Sequence, residues 1–367
     1  MADCLQERNN MVTKKDLCIL HIGMPKTGSS TIQDNFFHYG VKDRRANYND
    51  LSISNNGICF FAIFRKDPSQ FYFFKQQKFS KQDIEKFRKE TKEKLKESFL
   101  DNKSSINILS GEDLFHAQYE EVVAMKEYLD IYFKKIMIIV YARPVQSFCN
   151  SAFQQLVKYH DIERYDYNMI VHRYKNIERY DKVYGKKNVK VLSFLPKNFL
   201  DGDILKDFCK YTGLEQQKSK IKKSNESLSK EAISILFTYN YHKNVKTDFG
   251  KKNAIIQNEL VERIRVIGNE KFQFSGELIQ NWVKNYFEDD YAWLLNRINP
   301  QDKKYFEIDS SVSGVSTEME LMEYATNSIE QLASLVKPNL IDFGLSKHPQ
   351  TVAKLVNKLR IQIASEL

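Results

Sequence analysis

The run DLCILHIG, residues 16–23, is apolar and ends on a glycine, and SSTIQDNFFHYG, residues 29–40, takes over with helical spacing. A short apolar run of this kind suits a strand buried on both faces, as strands of parallel sheets are. Between the two lies GMPKTGSS, in which Gly23 and Gly28 stand five apart. A strand that passes through a glycine loop into a helix constrains this chain more than any other feature. It calls for a crossover connection, and it aims a helix N-terminus and a row of backbone N–H groups at whatever sits beyond the strand end.

The same alternation recurs downstream. SINILSGEDLF (105–115) reads as a second strand running out into a loop. KKIMIIVYARP (134–144) is a third, rich in β-branched residues and stopped by Pro144, after which VQSFCNSAFQQLVKYH resumes helical spacing. NVKVLSF (188–194) is a fourth and follows the helical run YNMIVHRYKNIERYDKVYG. In SKQDIEKFRKETKEKLKESFL (80–100), Ile84, Phe87, Leu95 and Phe99 are spaced as in an amphipathic helix behind a capping Ser80. Strands alternating with helices predict an α/β fold, a mostly parallel sheet flanked by helices, with ligands bound at the carboxyl ends of the strands. Past about residue 228 the pattern is helical. We expect a flexible leader over 1–15, an α/β domain over 16–299 and a helical C-terminal extension over 300–367.

A chain of 367 residues can bury a full core without staples. Hydrophobic residues at 42% and charged residues at 28% are globular values, and no segment approaches the eighteen or so apolar residues of a membrane span. The opening MADCLQERNNMVTKK has no apolar core of a signal peptide, so a soluble cytoplasmic protein is expected. Cys4, Cys18, Cys59, Cys149 and Cys209 form no C-x-x-C pair, which favours free thiols over a disulfide framework or a metal site. The net charge of +9, with lysine clusters at 186–190 and 218–223, attracts anions. Nucleic acid is not indicated, since no zinc spacing, recognition-helix pattern or aromatic RNA-binding motif is present.

The loop narrows the choice of anion. A nucleotide-binding loop of the form G-x-x-x-x-G-K-[ST] places its lysine after the second glycine, where it reaches the β- and γ-phosphates. Here Ser29 takes that place and Lys26 lies inside the loop. A kinase or NTPase would lack its usual clamp, and Asp113 is the one tempting residue for the metal ligand that it would also need. What remains is a site for a single terminal phosphate-like group, built from backbone N–H groups, hydroxyls and one cation.

The segment HIGMPKTGSSTIQ resembles the 5'-phosphosulfate loop of sulfotransferases that use 3'-phosphoadenosine 5'-phosphosulfate (PAPS), in particular a bacterial branch with the form P-K-T-G-[ST]-[ST]. The resemblance implies a P-loop-like sulfotransferase fold, PAPS as donor, 3',5'-adenosine bisphosphate as product and no metal. It implies that Lys26 contacts the sulfate and the bridging oxygen, and that Thr27, Gly28, Ser29 and Ser30 bind the 5'-phosphate. Sulfuryl transfer builds negative charge on the departing phosphate, so a fixed cation at the bridging oxygen stabilises the transition state more than the ground state.

A second anchor follows from the same resemblance. Relatives place an arginine at a strand end and a serine eight residues on to bind the 3'-phosphate, and Arg143 and Ser151 stand so here, although Pro144 follows the arginine directly. The planar fork of arginine suits a phosphate. SNESLSKEA (224–232) resembles a loop near the nucleotide, making Asn225 and Ser227 further contacts, or else the approach to a helix beginning near Ser229.

Transfer to a hydroxyl needs a base. Glu112 is the first choice because related sequences carry S-x-E after the corresponding strand, with His116 and His38 as fallbacks; Glu112 could equally be a carboxylate resting on a helix N-terminus. His21, inside a strand, is read as a core histidine. The family suggests a carbohydrate or glycolipid acceptor, which leaves peripheral membrane contact open, and FYFF (71–74) could line a sugar platform or simply be core. The competing classes are a P-loop kinase or NTPase and a non-enzymatic polyanion binder resting on the net charge.

Overall fold

The structure is a computed structural model that describes residues 13–171, 173–221, 227–242 and 245–367. Along the chain run β1 (Lys15–His21), α1 (Ser29–Tyr39), β2 (Ala46–Tyr48), α2 (Gly57–Phe64), α3 (Tyr72–Gln76), α4 (Lys81–Leu100), β3 (Ile106–Ser110), a 3-10 turn (Glu112–His116), α5 (Tyr119–Tyr132) and β4 (Phe133–Ala142). Then follow α6 (Val145–Tyr159), α7 (Tyr167–Ile170), α8 (Asn176–Tyr184), β5 (Val189–Ser193), α9 (Ile204–Thr212), α10 (Lys230–Tyr241), α11 (Asn253–Ile264), α12 (Gly276–Trp282), α13 (Glu288–Leu295), α14 (Glu318–Asn327), α15 (Ile329–Ala333) and α16 (Pro349–Glu366).

Five strands among the described residues form one sheet in the order β2-β3-β1-β4-β5, and every pairing is parallel. The expected α/β architecture is therefore present, with helices flanking a parallel sheet. The central strand β1 buries Cys18, Ile19 and Leu20 completely, which is why its sequence reads as an unbroken apolar run. Against one face, Ile32 and Phe36 of α1 and Leu205, Phe208 and Cys209 of α9 close over Ile19, Ile108, Ile139 and Tyr141. The edge strand β2 was not foreseen. Its three residues, ANY, are too few to show a period.

Helix α4 starts where expected, with the Ser80 hydroxyl accepting from the Asp83 amide while the Asp83 carboxylate takes the Ser80 amide. Ile84, Leu95 and Phe99 are buried on its inner face. The helical run expected before β5 is instead two helices, α7 and α8.

The chain divides into two compact units. The first comprises Met1–Arg143, Tyr174–Ser224 and Ala292–Lys303 and holds the sheet; the second comprises Pro144–Arg173, Asn225–Tyr291 and Lys304–Leu367. The expected boundary between residues 299 and 300 lies inside the Ala292–Lys303 run. The second unit is helical, and α10, capped by Ser229, is buried along most of its length. Arg360 of α16, 2% exposed, donates there to the Thr247 carbonyl and Asn253 Oδ1. Among the described residues no helix is long and apolar enough to cross a membrane. Cys18, Cys59, Cys149 and Cys209 are buried free thiols.

Candidate functional site

Strand register decides what meets at the carboxyl edge of the sheet. The pairing of β1 with β4 continues past His21, since the Tyr141 amide donates to the Gly23 carbonyl (2.8 Å) and the Met24 amide to the Tyr141 carbonyl (3.2 Å). Arg143, two residues on, thereby comes level with Lys26, and its Nη1 donates to the Lys26 carbonyl at 2.8 Å. On the other side the Gly111 amide donates to the His21 carbonyl (2.9 Å), carrying the β1–β3 ladder outward and setting Glu112 against Gly23. The approach is so close that a Cβ on Gly23, whose φ is +98°, would stand 3.0 Å from the Glu112 carbonyl oxygen. Residues 117 and 86 positions apart from Lys26 are brought to it by three neighbouring parallel strands.

The loop is built to hold its lysine in one place. Lys26 has φ +64° and Gly28 φ +75°, both in the left-handed region, which costs a lysine about 1 kcal/mol and glycine almost nothing. The hydroxyl of Thr27 donates to the Met24 carbonyl, and Thr27 and Ser29 are buried. Helix α1 starts from the Gly28 carbonyl, which accepts from the Thr31 amide (2.9 Å), and Gly28 as its N-cap has no side chain to cap the first turn. That turn, with Ser29 and Ser30, is a ready anion site when a cation stands beside it.

The electrostatics are those of two partly buried cations with a carboxylate acting on one of them. Burial lowers the pKa of Lys26, the Glu112 carboxylate pulls it back up, and the Arg143 guanidinium presses it down again. Burial also lowers Arg143, to about 10, against the upward pull of Tyr174. The Tyr174 hydroxyl donates to the Arg143 carbonyl at 2.8 Å, and the guanidinium lies 5.5 Å from the centre of the Phe194 ring. With a pKa of about 10 Arg143 stays protonated at pH 7, and a bound anion would relieve the cost of burying the two cations.

The turn after β3 carries the carboxylates. Glu112 and Asp113 are half-buried. Burial raises the Asp113 carboxyl, opposed by a hydrogen bond from Asn55 Nδ2 (3.3 Å) and by the charge of Arg65. Asn55 and Asn56 pin this turn, because Asn56 exchanges hydrogen bonds with the Ser110 backbone at 2.8 and 3.0 Å and Asn55 Oδ1 accepts from the Gly57 amide that opens α2. That Asn-Asn-Gly signal in front of an apolar helix was visible in the sequence, but its contact with β3 was not. His116 is exposed yet crowded enough that desolvation, with the charges of Arg179 and Arg65, lowers it to about 4. The cations acting on it differ from those at the loop.

The remaining candidates sort by position. Lys26, Thr27, Gly28, Ser29, Ser30, Arg143, Glu112 and His116 all belong to the first unit. Ser151, half-buried on α6, and the exposed Ser227 belong to the second, and Asn225 lies outside the described residues. His38 sits exposed in the last turn of α1, about 14 Å along the helix axis from the loop at 1.5 Å per residue, too far for a fallback base. His21 is fully buried between the rings of Tyr141 and Phe208, with Nδ1 2.8 Å from Ser110 Oγ. Burial lowers its pKa to about 4, against a smaller upward pull from the Gly23 backbone.

No family model matches the chain, and no curated protein matches it. Among solved structures it is similar to a sulfotransferase from Alicyclobacillus acidocaldarius, with 13% identity, coverage of 64% of this chain and 94% of that one, and a TM-score of 0.36. A likeness of that size leaves any functional reading to rest on the chain's own residues.

Proposed function

We propose that this chain is a sulfotransferase that uses PAPS to sulfate a hydroxyl group of a carbohydrate or glycolipid. The observation that carries the reading is the convergence on Lys26: a left-handed lysine inside a glycine loop at a helix N-terminus, its carbonyl held by Arg143 and its charge opposed by Glu112. The donor supplies a sulfuryl group activated by its phosphate linkage. Lys26 neutralises the charge that grows on the departing phosphate, while the backbone and hydroxyl groups of Thr27, Gly28, Ser29 and Ser30 bind the 5'-phosphate. Arg143, whose planar fork suits a phosphate, binds the 3'-phosphate.

Glu112 takes the proton of the acceptor hydroxyl as its oxygen forms the new S–O bond, so the carboxylate becomes a carboxylic acid and the phosphate leaves with the bonding pair. His116 is the alternative base, since an imidazole with a pKa near 4 is neutral at pH 7 and able to accept. The position of the lysine supports this reading over phosphoryl transfer, because it stands inside the loop and not after Gly28.

Differential thermal stabilisation tests the proposal. We expect 3',5'-adenosine bisphosphate without metal to stabilise the protein, by about 2.7 kcal/mol at 100 times its Kd, and ATP with Mg2+ to do far less. Stabilisation by ATP with Mg2+ alone would replace the proposal with a kinase or NTPase. Stabilisation by neither, with salt-sensitive binding to any polyanion, would replace it with a non-enzymatic binder.

A further inference from the structure

Beside the Glu112 turn, the first unit presents a fixed aromatic ring to solvent. Helix α3 is anchored by Phe71 and Phe74, 7% and 1% exposed, the first packed edge-on against Phe61 of α2 with ring centres 4.9 Å apart. Tyr72, between them, is 48% exposed. Helix α2 packs in turn on the Glu112–His116 segment, where Asn55 Nδ2 reaches Asp113 Oδ2 at 3.3 Å and a Cβ on Gly57 would lie 3.5 Å from the Asp113 Cβ. Burial raises the pKa of the Tyr72 hydroxyl, and the charges of Asp113 and then Glu112 add to that rise.

A flat aromatic alcohol would need an enclosed apolar slot, where its ring is covered on both sides. A half-exposed ring whose helix is tied through α2 to a turn carrying two carboxylates, with the Asn55 amide bonded to one of them, offers something else: one apolar face and, in the same packed region, groups that accept or donate hydrogen bonds. A sugar ring has the matching chemistry, with an apolar C–H face and hydroxyls around its edge. We infer that Tyr72, with Asp113 and Asn55, forms an acceptor subsite that stacks a saccharide ring beside Glu112. The inference rests on the sulfuryl-transfer reading only for what then happens to the sugar.

Saturation-transfer NMR with the methyl β-glycosides of glucose, galactose and N-acetylglucosamine tests it, using wild type, Tyr72→Ala and Tyr72→Trp, with the bisphosphate thermal shift recorded for each protein. At least one glycoside should be saturated by the wild type, lose affinity about tenfold in Tyr72→Ala and regain it in Tyr72→Trp, with the bisphosphate shift equal in all three. Undiminished glycoside binding in Tyr72→Ala would overturn the subsite. So would a wild type that saturates no glycoside, whether or not p-nitrophenol binds in their place. If glycosides behave as expected but the bisphosphate stabilises none of the proteins, the saccharide subsite stands and the sulfuryl-transfer reading falls.

Discussion

The loop after β1 and the turn after β3 leave neighbouring strands at the same edge of the sheet, yet they are held in opposite ways. The loop is stitched from within: Thr27 caps the Met24 carbonyl, Lys26 and Gly28 take left-handed conformations, and Arg143 grips the Lys26 carbonyl. The turn is held from outside, by Asn55 and Asn56 and by the backbone of α2 resting against Gly111. Their charges are opposite too. Burial pushes the cations of the loop toward losing a proton and the Asp113 carboxyl of the turn toward gaining one. Partly buried positive charge on an internally bonded loop suits a fixed anionic group. A carboxylate edge anchored by a separate helix suits a neutral hydroxylated ligand, and such a region can change its ligand without disturbing the first.

The comparison breaks most visibly at the cations. On the proposed function, Lys26→Ala should lower kcat by about 10²- to 10³-fold while donor affinity falls by less than about tenfold, the pattern of a group that acts on developing charge. Arg143→Ala should weaken binding of the bisphosphate more than Lys26→Ala does. Because its guanidinium also holds the Lys26 carbonyl, kcat should fall as well, a coupling that the separation of 117 residues hid from the sequence. Calorimetry with the bisphosphate and steady-state transfer of labelled sulfate check both, and equal, full activity in the two variants would remove the loop from the chemistry.

The second effect tests what joins the two regions. His21 ends β1, and its ring reaches the hydroxyl of Ser110, the last residue of β3. Its pKa of about 4 in the folded protein lies below the value of about 6.5 of a free histidine, so as pH falls the unfolded chain takes up the proton first. The stability due to neutral His21 is therefore complete above about pH 6.5 and is lost as pH falls from there toward 4, by at most about 3 kcal/mol. Urea unfolding at pH 7.5 and 4.5 should show a smaller loss in His21→Gln than in the wild type. Identical losses would mean that the ring is not kept neutral by its surroundings.

Strands β1, β3, β4 and β5 and helices α1 and α4 were legible because each carries its own period or cap, a local signal that burial amplifies. Edge strand β2 was not, because three residues packed on one side leave no pattern. At the site the division is similar. The loop of residues 23–30 announces itself as contiguous sequence, whereas the approach of Glu112 to Gly23, of Arg143 to Lys26 and of Asn55 to Asp113 depends on strand register and helix packing across 89, 117 and 58 residues. No short window of sequence contains those pairs. His38 shows the converse error, since closeness in sequence to the loop meant distance in space once α1 extended it away.

The smallest predicted effect bears on the outside support of the turn. Gly57 and Gly111 allow two backbones to meet, and a Cβ on Gly111 would lie 2.4 Å from the Gly57 N and Cα, well inside contact distance. Neither partner atom can rotate away, so Gly111→Ala must push α2 off the turn, at a cost of about 1–3 kcal/mol. Since the loop after β1 is stitched independently, bisphosphate stabilisation should survive while glycoside binding at Tyr72 weakens, because α2 is what carries Phe61 and, through it, α3. Gly344→Ala, whose Cβ would meet nothing within 4 Å, provides the reference and should change stability by less than about 0.5 kcal/mol. If Gly111→Ala instead abolished bisphosphate binding and left the glycosides untouched, the two regions would be one cooperative element, and the contrast in how they are held would have no functional meaning.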